Sequence, residues 1–354
     1  MKKLFLSLIV TALGALGMYA QDEFIATLNH GSELSTFFGE NALAQACEAA
    51  ENGDVITLSP GVFLGCSMDK AITLRGAGYK PMAGNNYAPT QITGGLTVYP
   101  SSKAGSAFEM ECLEVLCKVN IIGDSLAPVR LNKCLFQEAV QTYGISMNAH
   151  SCIFNARLQA NGYNSGYAGD YWGLGADKNT TLNCNNCVMR QVYANGLDPY
   201  SNKIGKIRAC NCILLPFMNC SLEYSVIINS IILGSYPGLK GCSVLNCIGI
   251  NTDNTEDDLF AMVGNPGNQM VEGYGDTAFS EVFKTWKYEN FSPYETYELT
   301  DEAAARYLGD DGTQVGVYGG ASPFNVNPTT PQVTKFTVKS TTENGQLKVK
   351  INVE

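Results

Sequence analysis

The side chains best suited to chemistry lie in two inserts and on one face of a repeat. Tyr163, Tyr167, Asp170, Tyr171, Trp172 and Asp177 stand among glycines between Asn155 and Thr180, while Tyr193, Asn195, Asp198 and Tyr200 lie between Val192 and Lys206. Aromatic rings stack on the apolar faces of sugars, and Asp and Asn pair with hydroxyls. Tyr163, Tyr167, Tyr171, Trp172, Tyr193, Asp198 and Tyr200 are therefore candidate ligand-binding residues; the alternative is that these loops pack on themselves. Catalysis asks for more. Glycoside hydrolysis uses two carboxyl groups at a fixed separation, and Asp170, Asp177 and Asp198 are the acids on offer. Eliminative cleavage of a uronate chain needs an Arg or Lys base beside a group that neutralises the carboxylate. Arg130, Arg208 and His150 are the nearest candidates, with a solvated sheet face as their other reading. With His30 and His150 the only histidines, histidine triads and histidine-based metal sites have little to draw on. Asp310-Asp311-Gly312 lacks the remaining ligands of a calcium loop and reads as a turn, so no cofactor or metal is expected.

These residues are positioned by one short phrase that recurs six times. Its copies are Asn132 to Phe136, His150 to Phe154, Asn185 to Met189, Cys210 to Leu214, Ile228 to Ile232 and Leu245 to Gly249, each placing Cys or Ser before an apolar pair. The small residue falls at 134, 152, 187, 212, 230 and 247, at intervals of 18, 35, 25, 18 and 17. A constant phrase at irregular spacing, with the excess in polar glycine-rich inserts, describes a coiled β-solenoid: every coil restacks one core position while its loops vary. Both inserts leave the repeat at the same phase, so they should wall one groove.

Aligned on the Cys/Ser, the columns five and three positions earlier are mostly apolar (Val129, Met147, Leu182, Ile207; Leu131, Ala149, Cys184, Ala209) and should face inward. The columns four and two earlier face outward. They run Arg130, Asn148, Asn183, Arg208, Val226, Ser243 and Asn132, His150, Asn185, Cys210, Ile228, Leu245, beginning polar and ending apolar. Val226, Ile228 and Leu245 imply that the C-terminal region covers that end of the sheet. The position just before the Cys/Ser ends Asn186, Asn211, Asn229, Asn246, which reads as an asparagine ladder with each amide bonding to the next coil.

Upstream, Glu40 to Glu51 is alanine-rich with apolar residues at helical spacing and stops at Asn52-Gly53. Short β-type runs follow at Asp54 to Leu58, Pro60 to Leu64 and Ala71 to Gly76. Ala42-Leu43 through Ala49-Ala50, then Gly53-Asp54-Val55-Ile56, Pro60-Gly61-Val62-Phe63 and Ile72-Thr73-Leu74-Arg75-Gly76, resembles the N-terminal cap and first coil of pectate-lyase-like right-handed parallel β-helix proteins. The resemblance runs from about Asn41 to Ile250. It implies an all-β right-handed parallel β-helix whose capping helix covers strand edges that would otherwise be unpaired. It implies no particular activity, since that superfamily holds lyases, hydrolases, epimerases, tailspikes, adhesins and inactive members.

The expected organisation is a signal peptide over 1–20, the capped β-helix over 21–250, a C-terminal capping region over 251–325, and a linker and β-hairpin tail over 326–354. Met1-Lys2-Lys3, the apolar run from Leu4 to about Leu16 and Ala20 describe a secretory signal with cleavage after Ala20. The capping region should hold a short helix at Ser280 to Trp286, a better one capped by Thr300, and a strand at Gln314 to Gly320. Val333 to Lys339 and Gln346 to Val353 should form the hairpin. No later run approaches the roughly 18 apolar residues of a spanning helix. Losing Lys2 and Lys3 takes the 23 basic side chains to 21 against 33 acidic, moving the net charge from −10 to −12. Such a chain repels phosphate backbones, so nucleic acid is excluded as a partner.

Thirteen cysteines in an exported chain suggest disulfides. Five of them share a repeat phase with Ser230, however, which favours a stacked ladder of small side chains over a disulfide framework. Zinc at Cys184/Cys187 or Cys210/Cys212 lacks the further ligands it needs, and repeat phase explains both pairs. The expected function is binding of an extracellular or cell-surface glycan, or service as a structural surface module, without catalysis. The alternative is a polysaccharide lyase or glycoside hydrolase acting on a polysaccharide, with or without uronate residues.

Overall fold

The computed structural model describes residues 24–79, 89–100, 107–123, 129–161, 180–194, 196–197, 204–215, 224–234, 239, 241–254, 258–261, 263–287, 291–328, 333–338 and 349–353. The signal-like start and the inserted residues Tyr163, Tyr167, Asp170, Tyr171, Trp172, Asp177, Asn195, Asp198 and Tyr200 lie outside those residues.

The chain forms a right-handed parallel β-helix. Its first sheet stacks in parallel Val55–Leu58, Thr73–Arg75, Phe108–Glu111, Val129–Asn132, Met147–His150, Thr180–Asn185, Ile204–Cys210, Val226–Ile228 and Ser243–Leu245. From Phe108–Glu111 onward each strand passes through a two-residue corner into a second parallel sheet, as Val129–Asn132 passes into Leu135–Phe136 and then Val140–Tyr143. Val129, Leu131, Met147, Ala149, Leu182, Cys184, Ile207 and Ala209 are all buried, so the inward columns stand as the alternation predicts. The N-terminal residues Ile25–His30 and Glu33–Phe38 add an antiparallel hairpin to the first sheet. Helix α1 (Ala42–Ala49) presses Ala42, Leu43, Ala46 and Cys47 into the open end of the core.

The corner residues are Cys112, Lys133, Ser151, Asn186, Asn211, Asn229 and Asn246, each with φ between 51° and 58°. Asn tolerates this left-handed conformation best among non-glycine residues, which accounts for the asparagine run. It is the backbone that bonds to the next coil: Asn186 N donates to Cys210 O at 3.0 Å, and Asn229 N to Leu245 O at 3.1 Å. The side-chain amides do something other than the sequence suggests. Asn186 Nδ2 donates to Val317 O and Gly319 O (2.9 and 2.8 Å), and Asn229 Nδ2 to Asp310 Oδ1 (2.7 Å). A left-handed corner aims its side chain off the stack, where the C-terminal region lies.

Inside the corners, Cys134, Cys152, Cys187, Cys212, Ser230 and Cys247 are fully buried, and the described cysteines form no disulfides. The ladder is hydrogen-bonded as well as small. Ser230 Oγ donates to Ile228 O (2.7 Å) and accepts from Cys212 N (3.0 Å). Cys187 N meets Cys212 Sγ at 3.5 Å, Ser230 N meets Cys247 Sγ at 3.4 Å, and Asn268 Oδ1 ends the series by accepting from Cys247 N at 3.0 Å. Burial pushes the Cys247 thiol up to about 12, so it stays protonated.

The C-terminal region packs on the second sheet, not on the apolar end of the first. Leu135, Ile153, Val188, Ile213, Ile231 and Ile248, each immediately after the ladder residue, face outward and are buried beneath Phe279, Phe283, Trp286, Tyr297, Val315 and Val317. Val226, Ile228 and Leu245 remain half-exposed. A strand at Gln269–Tyr274 continues the second sheet, followed by α2 (Gly275–Val282), which ends near where a helix was expected to begin. Helix α3 (Asp301–Arg306) starts as predicted, with Thr300 Oγ1 accepting from Ala303 N at 3.1 Å. Gln314 to Gly320 forms turns and one bridge instead of a strand, because Gly316 and Gly320 take positive φ as this segment meets the corners. Gly309 stays small for the same reason: a Cβ there would lie 2.6 Å from the Asn229 amide carbon. Val333–Val338 and Val349–Val353 pair as the expected antiparallel hairpin.

Candidate functional site

The outward face of the first sheet brings the predicted polar columns into register. Thr73, Glu109, Arg130, Asn148, Asn183 and Arg208 form one row, and Arg75, Glu111, Asn132, His150, Asn185 and Cys210 form the next. At about 4.8 Å per coil, Arg130 and Arg208 stand about 14 Å apart with the two asparagines between them. Arg130, Asn148, Asn185 and Arg208 are exposed and Asn183 is half-buried, so the ribbon is open to solvent.

Its groups are paired along the stack. Arg130 Nη1 is ion-paired with Glu109 Oε1, and Arg75 Nε with Glu111 Oε2 at 2.9 Å. Asn183 Nδ2 donates to Asn148 Oδ1 at 2.9 Å. His150 Nε2 lies 3.1 Å from Ser322 O. A carbonyl only accepts, so this nitrogen carries the proton and His150 ties the sheet edge to the C-terminal region. Of the three arginines on this face, Arg208 alone has no carboxylate within ion-pair distance among the described residues.

Of the candidate catalytic residues, the structure therefore places Arg130, His150 and Arg208 on one face, the first neutralised by an acid and the second engaged with a carbonyl. That arrangement offers ordered donors and acceptors at the spacing of the coils. It holds no unpaired carboxylate couple among the described residues, and no group of three or more His, Cys, Asp or Glu among them is placed to hold a metal. No helix among them is long and apolar enough to cross a membrane.

Glu109 and Glu111 were missed in the sequence because their coil carries Leu113 where the others have Cys or Ser. The available signal was the alternation of apolar and acidic residues in Phe108-Glu109-Met110-Glu111. The inserts are rooted as predicted. Ala160 pairs with Ala194 and Thr180 with Gly205, so the two excursions leave and re-enter in register. Tyr193 sits on the strand Val188–Ala194 at one of these roots.

No family model, curated protein or solved structure matches the chain. The functional reading therefore rests on this geometry alone.

Proposed function

We propose that the protein is an exported β-helix that binds an extracellular or cell-surface glycan along the polar ribbon of its first sheet. One observation carries this reading: two adjacent rows of outward polar side chains, ion pairs Arg75–Glu111 and Arg130–Glu109 at one end and the amides of Asn132, Asn148, Asn183 and Asn185 leading to Arg208 at the other, stacked at the coil spacing and open or half-open to solvent. A polymer laid across the coils meets a fresh hydrogen-bonding group at each step, and hydroxyls are satisfied by such amides and ion-paired carboxylates. The aromatic and acidic insert residues Tyr163, Tyr167, Tyr171, Trp172, Tyr193, Asp198 and Tyr200 are of the types that stack on sugars and pair with their hydroxyls. The basic and apolar start before Ala20 supports export. The N-terminal helix and coil pattern support a place among the pectate-lyase-like β-helix proteins.

Binding without cleavage is favoured because Arg130 is held by Glu109 and His150 by Ser322 O. Purified protein passed over immobilised neutral and acidic polysaccharides, with unsaturated-product absorbance followed in parallel, tests this. Retention without product is expected. Product formation would replace the binding reading with a lyase, and failure to be retained on any polysaccharide would remove the glycan altogether.

A further inference from the structure

Around the corner from the ribbon, between the second sheet and the C-terminal region, lies a half-open cleft of about 180 Å³. One water needs about 10–15 Å³ on the same measure, so the space suits a six-membered ring with its hydroxyls rather than lone solvent.

Its walls are aromatic and held in place. Tyr318 donates from its hydroxyl to Thr296 O at 2.6 Å, and its ring meets Phe324 edge-on at 6.0 Å. The segment carrying Phe324 and Asn325 is pinned to the solenoid corners: Asn325 N donates to Ser151 Oγ at 3.2 Å, and Lys133 Nζ to Asn327 O at 2.8 Å. Rings fixed before binding lose little freedom when a ligand stacks on them.

Polar capacity is left unused around those rings. Tyr79 lines the cleft, is 1% exposed, and its hydroxyl has no hydrogen-bond partner among the described residues. An orphaned buried hydroxyl marks a group that a ligand or water completes. Glu295 Oε1 accepts from Thr285 Oγ1 (2.6 Å) and Thr296 N (3.0 Å), while no described residue donates to Oε2. No lining residue is a cation, and the Lys133 ammonium at the wall is taken up by Asn327 O. An anionic ligand would therefore meet the Glu295 carboxylate without compensation, whereas a neutral hydroxyl can donate to it.

We propose that this cleft is a second carbohydrate site, which takes a single neutral pyranose residue and rejects uronates. It stands independently of the ribbon, because it uses other residues on another face. Saturation-transfer NMR and titration of the full chain with glucose, galactose, mannose, N-acetylglucosamine, glucuronate and galacturonate provide the test. At least one neutral sugar should bind about tenfold or more tightly than the uronates, a difference of about 1.4 kcal/mol. Tyr318→Ala should weaken that binding at least about tenfold by the same measure. Glu295→Gln, at a half-exposed position that should leave the fold intact, should narrow the gap between neutral and acidic sugars. Glu48→Gln, exposed on α1 and part of neither site, should leave it unchanged. No neutral-sugar binding, equal binding of uronates, or a gap insensitive to Glu295→Gln would each overturn the proposal.

Discussion

A single backbone N–H decides which residues the ladder accepts. At the corners of Cys187, Cys212 and Ser230 the amide of the ladder residue finds its acceptor in the Cys or Ser of the following coil, whose own proton goes to the carbonyl two residues back. Ser230→Ala removes both functions in a dry core and orphans Cys212 N. It should cost about 1–3 kcal/mol in urea unfolding, whereas Ser230→Cys should cost well under half of that. Equal losses for the two would mean that size alone matters. The sequence displayed this position clearly, because Ser substitutes for Cys at one phase, but small size and hydrogen bonding give the same pattern there. The exposed Arg130–Glu109 pair belongs to the opposite regime. Arg130→Ala should shift stability by less than about 1 kcal/mol, since exposed ion pairs contribute little, while weakening retention on the glycan that the wild type binds.

At the scale of elements, the corners join coil to C-terminal region. Asn186→Gly keeps the left-handed backbone but loses the two bonds to Val317 O and Gly319 O, while Asn186→Ala loses the bonds and adds left-handed strain of about 1 kcal/mol or more. Both should raise amide exchange over 315–319, and the alanine variant should also lower the unfolding midpoint further. The N-terminal hairpin has its own fastening, His30 Nδ1 to Asp54 Oδ1 at 2.9 Å. That hydrogen bond and the Asp54 charge raise the His30 pKa above its ordinary 6.5. A raised folded value means that the contribution is complete at pH below the unfolded value and is lost as pH rises through the folded one. Amide protection in Ile25–His30 should therefore decline as pH climbs past about 6.5, and His30→Gln should flatten that profile. The strand and corner pattern was legible because the solenoid repeats it. Helix α2 and the turns at Gln314 to Gly320 were misplaced because they occur once, and their conformations are set by the face they cover.

For the whole molecule, the phrase itself contained the answer to where the C-terminal region docks. Ladder residues are followed by two apolar residues, as in Leu135-Phe136 and Ile153-Phe154, and a strand apolar on both faces is buried on both faces. The inner ring stacks, Phe136 on Phe154 at 5.2 Å, and the outer residue lies under the C-terminal aromatic cluster. The shift to apolar side chains at Val226, Ile228 and Leu245 drew attention to the wrong sheet. Among the described residues, the second sheet is covered by the C-terminal region while the first carries a polar ribbon that is open or half-open to solvent, and recognition of a glycan is assigned to that ribbon. The most direct measurement is affinity electrophoresis of the wild type and of the double variant Asn148→Ala/Asn183→Ala through gels containing the retained polysaccharide. The account predicts that the polysaccharide slows the wild type and that the double variant, equally stable, runs nearly as it does in a plain gel. Equal retardation of the two proteins would contradict it.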